Sequence, residues 1–254
     1  MTNKKKKKKL SVKGLILILL ITYLLIMFFV YLFNMKIKAV IINGNNILTN
    51  EDIKKIVSLK KDEKFLSLNT FKIKNKLVKN KLIKDVTVKK SLKGAITINI
   101  EEEKVLFYNK PNDVYVLGNG ETIPYNNNIL GIPTLINYVP DNIYKELIKK
   151  SVKIDDDINK NISEIEYSPD QKEDIVFDEN RFILKMNDGN TVYINIANYL
   201  KLNNYKKLYQ ATISKDEIKK GIFYLDSIRD DAILFTDYNA LKKGEEGEQI
   251  ELSQ

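Results

Sequence analysis

From Gly14 to Phe33 the chain reads GLILILLITYLLIMFFVYLF, a run of 20 positions without a charge and with Thr22 as its one small polar residue. At a rise of about 1.5 Å per residue such a run covers roughly 30 Å, the hydrocarbon thickness of a bilayer. It predicts a transmembrane helix over residues 14–34, with Tyr31 placed to anchor at the outer interface. Downstream the period changes. Ile37 to Ile42 is a β-branched run that ends in Asn43-Gly44-Asn45-Asn46, a strand entering a turn. Thr49 and Asp52 have capping-box spacing, and Ile53, Ile56 and Val57 follow at helical spacing. A second helix is predicted from Asn69 to Asn80, with Ile73 and Leu77 one turn apart. Residues 85–89 and 95–100 alternate apolar and polar, the mark of strands with one face wet, and Lys93-Gly94 makes the turn between them. Two helices packed on one face of a three-stranded sheet would bury this pattern.

Past Phe107 the pattern becomes short strands and turns. Strands are predicted at 114–117 and 121–124, and an extended segment at 131–135, where Pro133 biases its predecessor away from helix. A helix follows at 142–152. Residues 181–186 and 191–194 flank Asn187-Asp188-Gly189-Asn190, a hairpin whose Asp-Gly pair supplies the positive φ of a tight turn. A helix is expected at 197–209 and strands at 221–226 and 232–236. Residues 150–180 yield no clear pattern. The acidic, polar stretch from Leu241 onward is predicted to be disordered. The fold class is therefore α+β: one membrane helix, a β-α-α-β-β domain, and a mixed domain dominated by antiparallel sheet.

Charge changes the picture twice. The formal net charge is +9, but residues 1–34 carry seven lysines and no acid, which concentrates the excess in a tail. Nucleic-acid binding loses its main support on that division. Lys4, Lys5, Lys6, Lys7, Lys8, Lys9 and Lys13 precede the apolar run, against Lys36 and Lys38 just after it. The positive-inside rule then places the N-terminus in the cytoplasm and the bulk of the chain outside. A cleaved signal peptide is the rival reading; the apolar run is longer than a typical signal core, and residues 34–41 offer no pair of small residues at cleavage spacing. Beyond the span, residues 35–106 hold 17 lysines against 8 acids, whereas residues 107–254 hold 18 basic against 25 acidic residues. That reversal sets a domain boundary at 106/107. The predicted organisation is a basic cytoplasmic tail at 1–13, a span at 14–34, domains at 35–106 and 107–238, and a disordered tail at 239–254.

The chain has no Cys and no His. Thiol nucleophiles and disulfides are excluded, and the commonest general base and metal ligand are missing. Carboxylates cluster at Glu101-Glu102-Glu103, Asp155-Asp156-Asp157, Glu164/Glu166 and Asp230-Asp231. Adjacent acids on a strand point to opposite faces, so these read as solvated charge, and neither a catalytic residue, a metal nor a cofactor is expected.

The order and spacing of several segments resemble the FtsQ/DivIB family of bacterial division proteins. The residues are Val40-Ile41-Ile42-Asn43-Gly44-Asn45, Asp52-Ile53, Phe65-Leu66-Ser67-Leu68, Ile83 to Lys90 and Ile98 to Glu103, followed by the Gly120 turn, Ile132-Pro133 and Ile222 to Asp226. The resemblance implies a POTRA domain, then a β-domain, in a scaffold without chemistry of its own. It implies binding of single-span partners of the DivIC (or FtsB) and FtsL type at the septum of the cell membrane, in regulation of septal wall synthesis. By family precedent the partner adds to the edge of the last strand, which singles out Tyr224, Ala232, Ile233, Leu234 and Phe235. The basic first domain, with Lys72, Lys74, Lys76, Lys79 and Lys81, is a further candidate surface for anionic lipid or wall polymer. The alternatives are a membrane-tethered wall hydrolase and another POTRA-bearing transport or assembly protein.

Overall fold

A computed structural model describes residues 11–58, 64–91, 93–126, 129–172, 175–212, 219–226, 232–244 and 248–251. The chain divides into two units, residues 1–102 and 103–254. Helix α1, Val12–Asn34, opens with Ser11 accepting from the Gly14 amide. None of its side chains is buried, and among the described residues it is the helix long and apolar enough to cross a membrane.

The rest of the first unit has the expected order. Strand β1 is Ala39–Asn43, helix α2 Asn50–Val57, helix α3 Thr70–Leu77, strand β2 Ile83–Lys90 and strand β3 Ala95–Glu102. The sheet order is β1-β3-β2, with β1 parallel and β2 antiparallel to β3. Thr49 and Asp52 form the capping box reciprocally, each side chain bonding the other's backbone N–H. Asn69 caps α3 by accepting from the amides of Phe71 and Lys72. Ile53, Val57, Ile73 and Leu77 from the helices meet Val86, Ile96, Ile98 and Ile100 from the strands in one core, which Phe65 and Leu68 complete.

The turn after β1 is held from a distance. The Glu102 carboxylate accepts from the backbone amides of Asn46, Ile47 and Leu48, each at 2.8 Å. Three donors that the turn leaves unpaired thus find one acceptor at the end of β3.

The second unit is built on one ten-stranded mixed sheet. Its elements are β4 Val105–Asn109, β5 Val114–Leu117, β6 Thr122–Pro124, β7 Thr134–Leu135, α4 Asp141–Ser151, α5 Asp156–Asn161 and β8 Ile162–Tyr167. They continue with β9 Asp170–Lys172, β10 Ile175–Asp178, β11 Arg181–Met186, β12 Thr191–Asn195, α6 Tyr205–Ala211, β13 Gly221–Tyr224, β14 Ala232–Asp237, α7 Tyr238–Lys243 and β15 Glu248–Glu251. The sheet order is β15-β14-β13-β12-β11-β8-β7-β4-β5-β6, and β9 with β10 forms a separate hairpin. Ile143 and Leu147 of α4, Ile158 of α5, and Leu202, Tyr205 and Leu208 near α6 pack with the inward strand residues in a single core.

Two expectations are corrected here. The boundary lies between Glu102 and Glu103 rather than at 106/107, because Val105, Leu106 and Phe107 are buried residues of β4 in the second sheet. The tail from 239 is not wholly without structure: α7 continues directly from β14, and residues 248–251 form β15. The segment at 197–209 is helical in two parts, a 3-10 helix at Tyr199–Asn204 and then α6. Within 150–180, where the sequence shows no pattern, the structure places α5, β8 and the β9–β10 hairpin. A register shift at the Met186 end of the β8–β11 pairing interrupts the alternation that would have marked β8.

Candidate partner-binding edge

The far end of the second sheet rests on β12. β13 runs parallel to it, with Thr191, Val192 and Tyr193 opposite Ile222, Phe223 and Tyr224. A parallel neighbour needs a crossover, and residues 199–211 supply it. A buried polar relay then fixes where β13 begins. The Gly221 amide donates to Asn190 Oδ1 at 2.9 Å, Asn190 Nδ2 donates to the Tyr205 hydroxyl at 3.0 Å, and that hydroxyl donates to Asp188 Oδ2 at 2.8 Å. Burial, with the Asp188 carboxylate beside it, pushes the Tyr205 phenol well above its ordinary range. Gly221 also allows a close approach: a Cβ there would meet the Thr236 carbonyl oxygen at 2.1 Å.

Register sorts the residues of β14 by face, since directly opposed residues on neighbouring strands share one side of a sheet. Val192, Phe223 and Phe235 are opposed in turn on the core side, where the Phe223 and Phe235 rings lie 4.7 Å apart. Ile233 and Phe235 are each 1% exposed and belong to that core. On the other side Ile183, Tyr193, Tyr224 and Leu234 stand opposed across β11 to β14. Leu234 is 36% exposed and the other three are half-buried. Tyr193 and Tyr224 meet edge to face at 5.2 Å, and the Arg181 guanidinium sits 5.3 Å from the Tyr193 ring centroid. Burial, and the neighbouring Tyr193 ring, raise the Tyr224 phenol.

Of the five expected edge residues, then, Ile233 and Phe235 are core, whereas Leu234 and Tyr224 share the outward row. Ala232 begins β14. The expectation of an open edge is corrected. β14 pairs with β13 on one side and with β15 on the other, where Ala232, Ile233, Leu234 and Phe235 face Glu251, Ile250, Gln249 and Glu248. Tyr193 and Arg181 are additions that sequence reasoning missed. Tyr193 alternates with Val192 and Ile194, which marks it as outward-facing, but its position beside Tyr224 depends on a parallel pairing that no local pattern reveals.

The remaining expected residues are placed elsewhere. Lys4 to Lys9 lie outside the described residues, and Lys13 is the second residue of α1. Lys74 pairs with Asp85 at 2.8 Å and Lys76 donates to the Val57 carbonyl at 3.0 Å, so two lysines of the basic face serve the first unit's own structure. Three of the carboxylates are similarly engaged. Glu101 pairs with Lys84 at 2.6 Å, Asp156 with Lys104 at 2.9 Å and Asp157 with Lys206 at 2.7 Å. Asp230 and Asp231 lie outside the described residues. Among the described residues no group of three or more His, Cys, Asp or Glu is placed to hold a metal ion.

Comparison with known proteins agrees with this two-unit plan. The family model for the POTRA domain, FtsQ-type, matches residues 35–103, and that for the cell division protein FtsQ/DivIB C-terminal region matches residues 106–226. The cell division protein DivIB of Bacillus subtilis is 30% identical over 232 residues, 88% of this chain and 84% of the relative. This chain belongs to the FtsQ/DivIB family of cell division proteins. DivIB of Bacillus anthracis is 32% identical over 206 residues, 78% of this chain and 76% of the relative. The solved major extracytoplasmic domain of DivIB from Geobacillus stearothermophilus, in its trans isomer, matches 44% of this chain and 94% of that chain at 22% identity. Its TM-score is 0.35, a likeness too slight to bear on the fold. For a family member the POTRA-type unit and the sheet-rich unit are the two expected parts, and the edge described above belongs to the second.

Proposed function

We propose that this chain is a non-enzymatic, membrane-anchored scaffold of the division machinery that binds single-span division proteins of the DivIC/FtsB and FtsL type and so regulates septal wall synthesis. α1 anchors it with the N-terminus in the cytoplasm, and both folded units lie outside the membrane. The partner segment engages the β13–β14 end of the second sheet by pairing with β14 along the side that β15 occupies, and its side chains extend the outward row of Tyr193, Tyr224 and Leu234.

The observation that carries this reading is the composition of that row. Four neighbouring strands place an isoleucine, two tyrosines and a leucine in register on the side of the sheet away from the core, ending at β14. Backbone pairing gives such an addition its affinity and alternate side chains its specificity. The rival hydrolase reading needs a converging pair of free carboxylates, whereas Glu101, Asp156 and Asp157 each hold a lysine.

The test is capture by the full-length chain in detergent of the purified single-span division proteins of the same cell. Leu234→Asp is expected to abolish recovery and, in cells, to remove the chain's enrichment at the septum. Undiminished recovery moves the interface away from β14, and hydrolysis of a wall precursor by the purified chain would revive the enzyme.

A further inference from the structure

The strand that lies on β14 is a segment of this chain itself, and the pairing is short. β15 contributes four registered positions, Glu248, Gln249, Ile250 and Glu251, of which one is apolar. It is reached through α7, which has no buried residue and ends at Gly244 in the left-handed conformation at φ +71°. A Cβ on Gly244 would meet nothing within 4 Å, so Gly244 itself is open to solvent. Two contacts among the described residues fix the start of α7 ahead of the segment. The Tyr238 hydroxyl is bonded to Thr191 Oγ1 at 2.7 Å, and the Tyr238 amide donates to the Lys220 carbonyl at 3.0 Å. β14 and the start of α7 are therefore tied to β12 and β13 by contacts that do not involve β15, and β15 pairs with β14 over four registered positions.

An exposed strand edge beside an apolar row invites pairing with other chains, and proteins cover such edges. We infer that β15 is an intramolecular stand-in for the partner strand: it covers the β14 edge in the free chain and is displaced when a partner binds. This rests on the reading that the partner adds to β14. The stand-in also describes its replacement. The partner strand runs antiparallel to β14 and places an apolar residue opposite Ile233, where β15 has Ile250. Affinity for a site that is open only part of the time falls by the open fraction, so the tail sets how readily the sheet accepts a partner.

The absence of native cysteine allows a direct test on the full chain. In Ala232→Cys/Glu251→Cys the two cysteines stand at a registered pair. Oxidation is expected to form the disulfide and to block capture of the purified extracytoplasmic segments of the cell's DivIC-type and FtsL-type proteins, and reduction to release the block. A chain ending at Gly244 is expected to bind those segments about tenfold more tightly, corresponding to an edge open about one tenth of the time. A disulfide that does not form, capture indifferent to oxidation, or truncation that leaves or weakens affinity overturns the inference. If Leu234→Asp abolishes capture while the lock and the truncation change nothing, the β14 site stands and the stand-in falls. If none of the three alters capture, the β14 site falls as well.

Discussion

Leu234 stands directly opposite Tyr224 on the side of the sheet away from Phe223 and Phe235, so adjacent residues of β14 serve opposite ends. Leu234→Asp is expected to shift the folding free energy by no more than about 1 kcal/mol, as at a partly exposed site, and to abolish partner capture. Phe235→Ala opens the core beneath β13 and is expected to cost about 3–5 kcal/mol. Urea denaturation of both variants, read beside capture, separates the two roles. Equal destabilisation would erase the distinction between the faces.

Gly221 is the point of closest approach between β13 and β14. Gly221→Ala drives its methyl into the Thr236 carbonyl oxygen, 2.1 Å from the ideal Cβ position, and is expected to cost about 1–3 kcal/mol through backbone shifts. Gly120→Ala is the comparison: its φ is +83° but nothing lies within 4 Å of the added carbon, so backbone strain of about 1 kcal/mol is all it meets. Denaturant midpoints are expected to fall further for Gly221→Ala than for Gly120→Ala.

Burial raises the Asp226 carboxyl above its ordinary value of 3.8, and the nearby Asp178 and Asp170 add to this against the pull of Arg181. An acid whose folded pKa lies above its unfolded one penalises the folded state at neutral pH, where it is charged in both states. The penalty is relieved as pH falls through the raised folded value and is gone below 3.8. Asp226→Asn is expected to be at least as stable as the parent at pH 7, with the difference shrinking toward pH 4. Urea midpoints across that range check it, and a difference that widens in acid contradicts it.

In the first unit, Glu102→Ala removes the acceptor shared by the amides of Asn46, Ile47 and Leu48. Charge-assisted bonds of this kind contribute more than neutral ones, and partial rescue by water leaves a net loss of about 2 kcal/mol. Amide exchange is expected to accelerate at these three residues, while Ile53 and Ile98 keep their protection. Unchanged exchange at 46–48 would show that the carboxylate does not hold the turn.

The span, the capping box of Thr49 and Asp52, the hairpin about Asp188-Gly189 and the alternation of β2, β3, β11 and β12 were all determined by sequence alone, because each depends on residues within a few positions of one another. The same holds for the fact that Ile233, Leu234 and Phe235 alternate in direction. Which of them faces the core was decided only when β13 paired with β12 and the crossover through Tyr199 and Tyr205 laid a helical layer over Phe223. The reach of Glu102 back to residues 46–48 and the docking of β15 on β14 are likewise non-local. A backbone hydrogen bond takes the same form with any strand of suitable register, so nothing in Glu248 to Glu251 announces that this chain's own tail, rather than another protein, covers the edge.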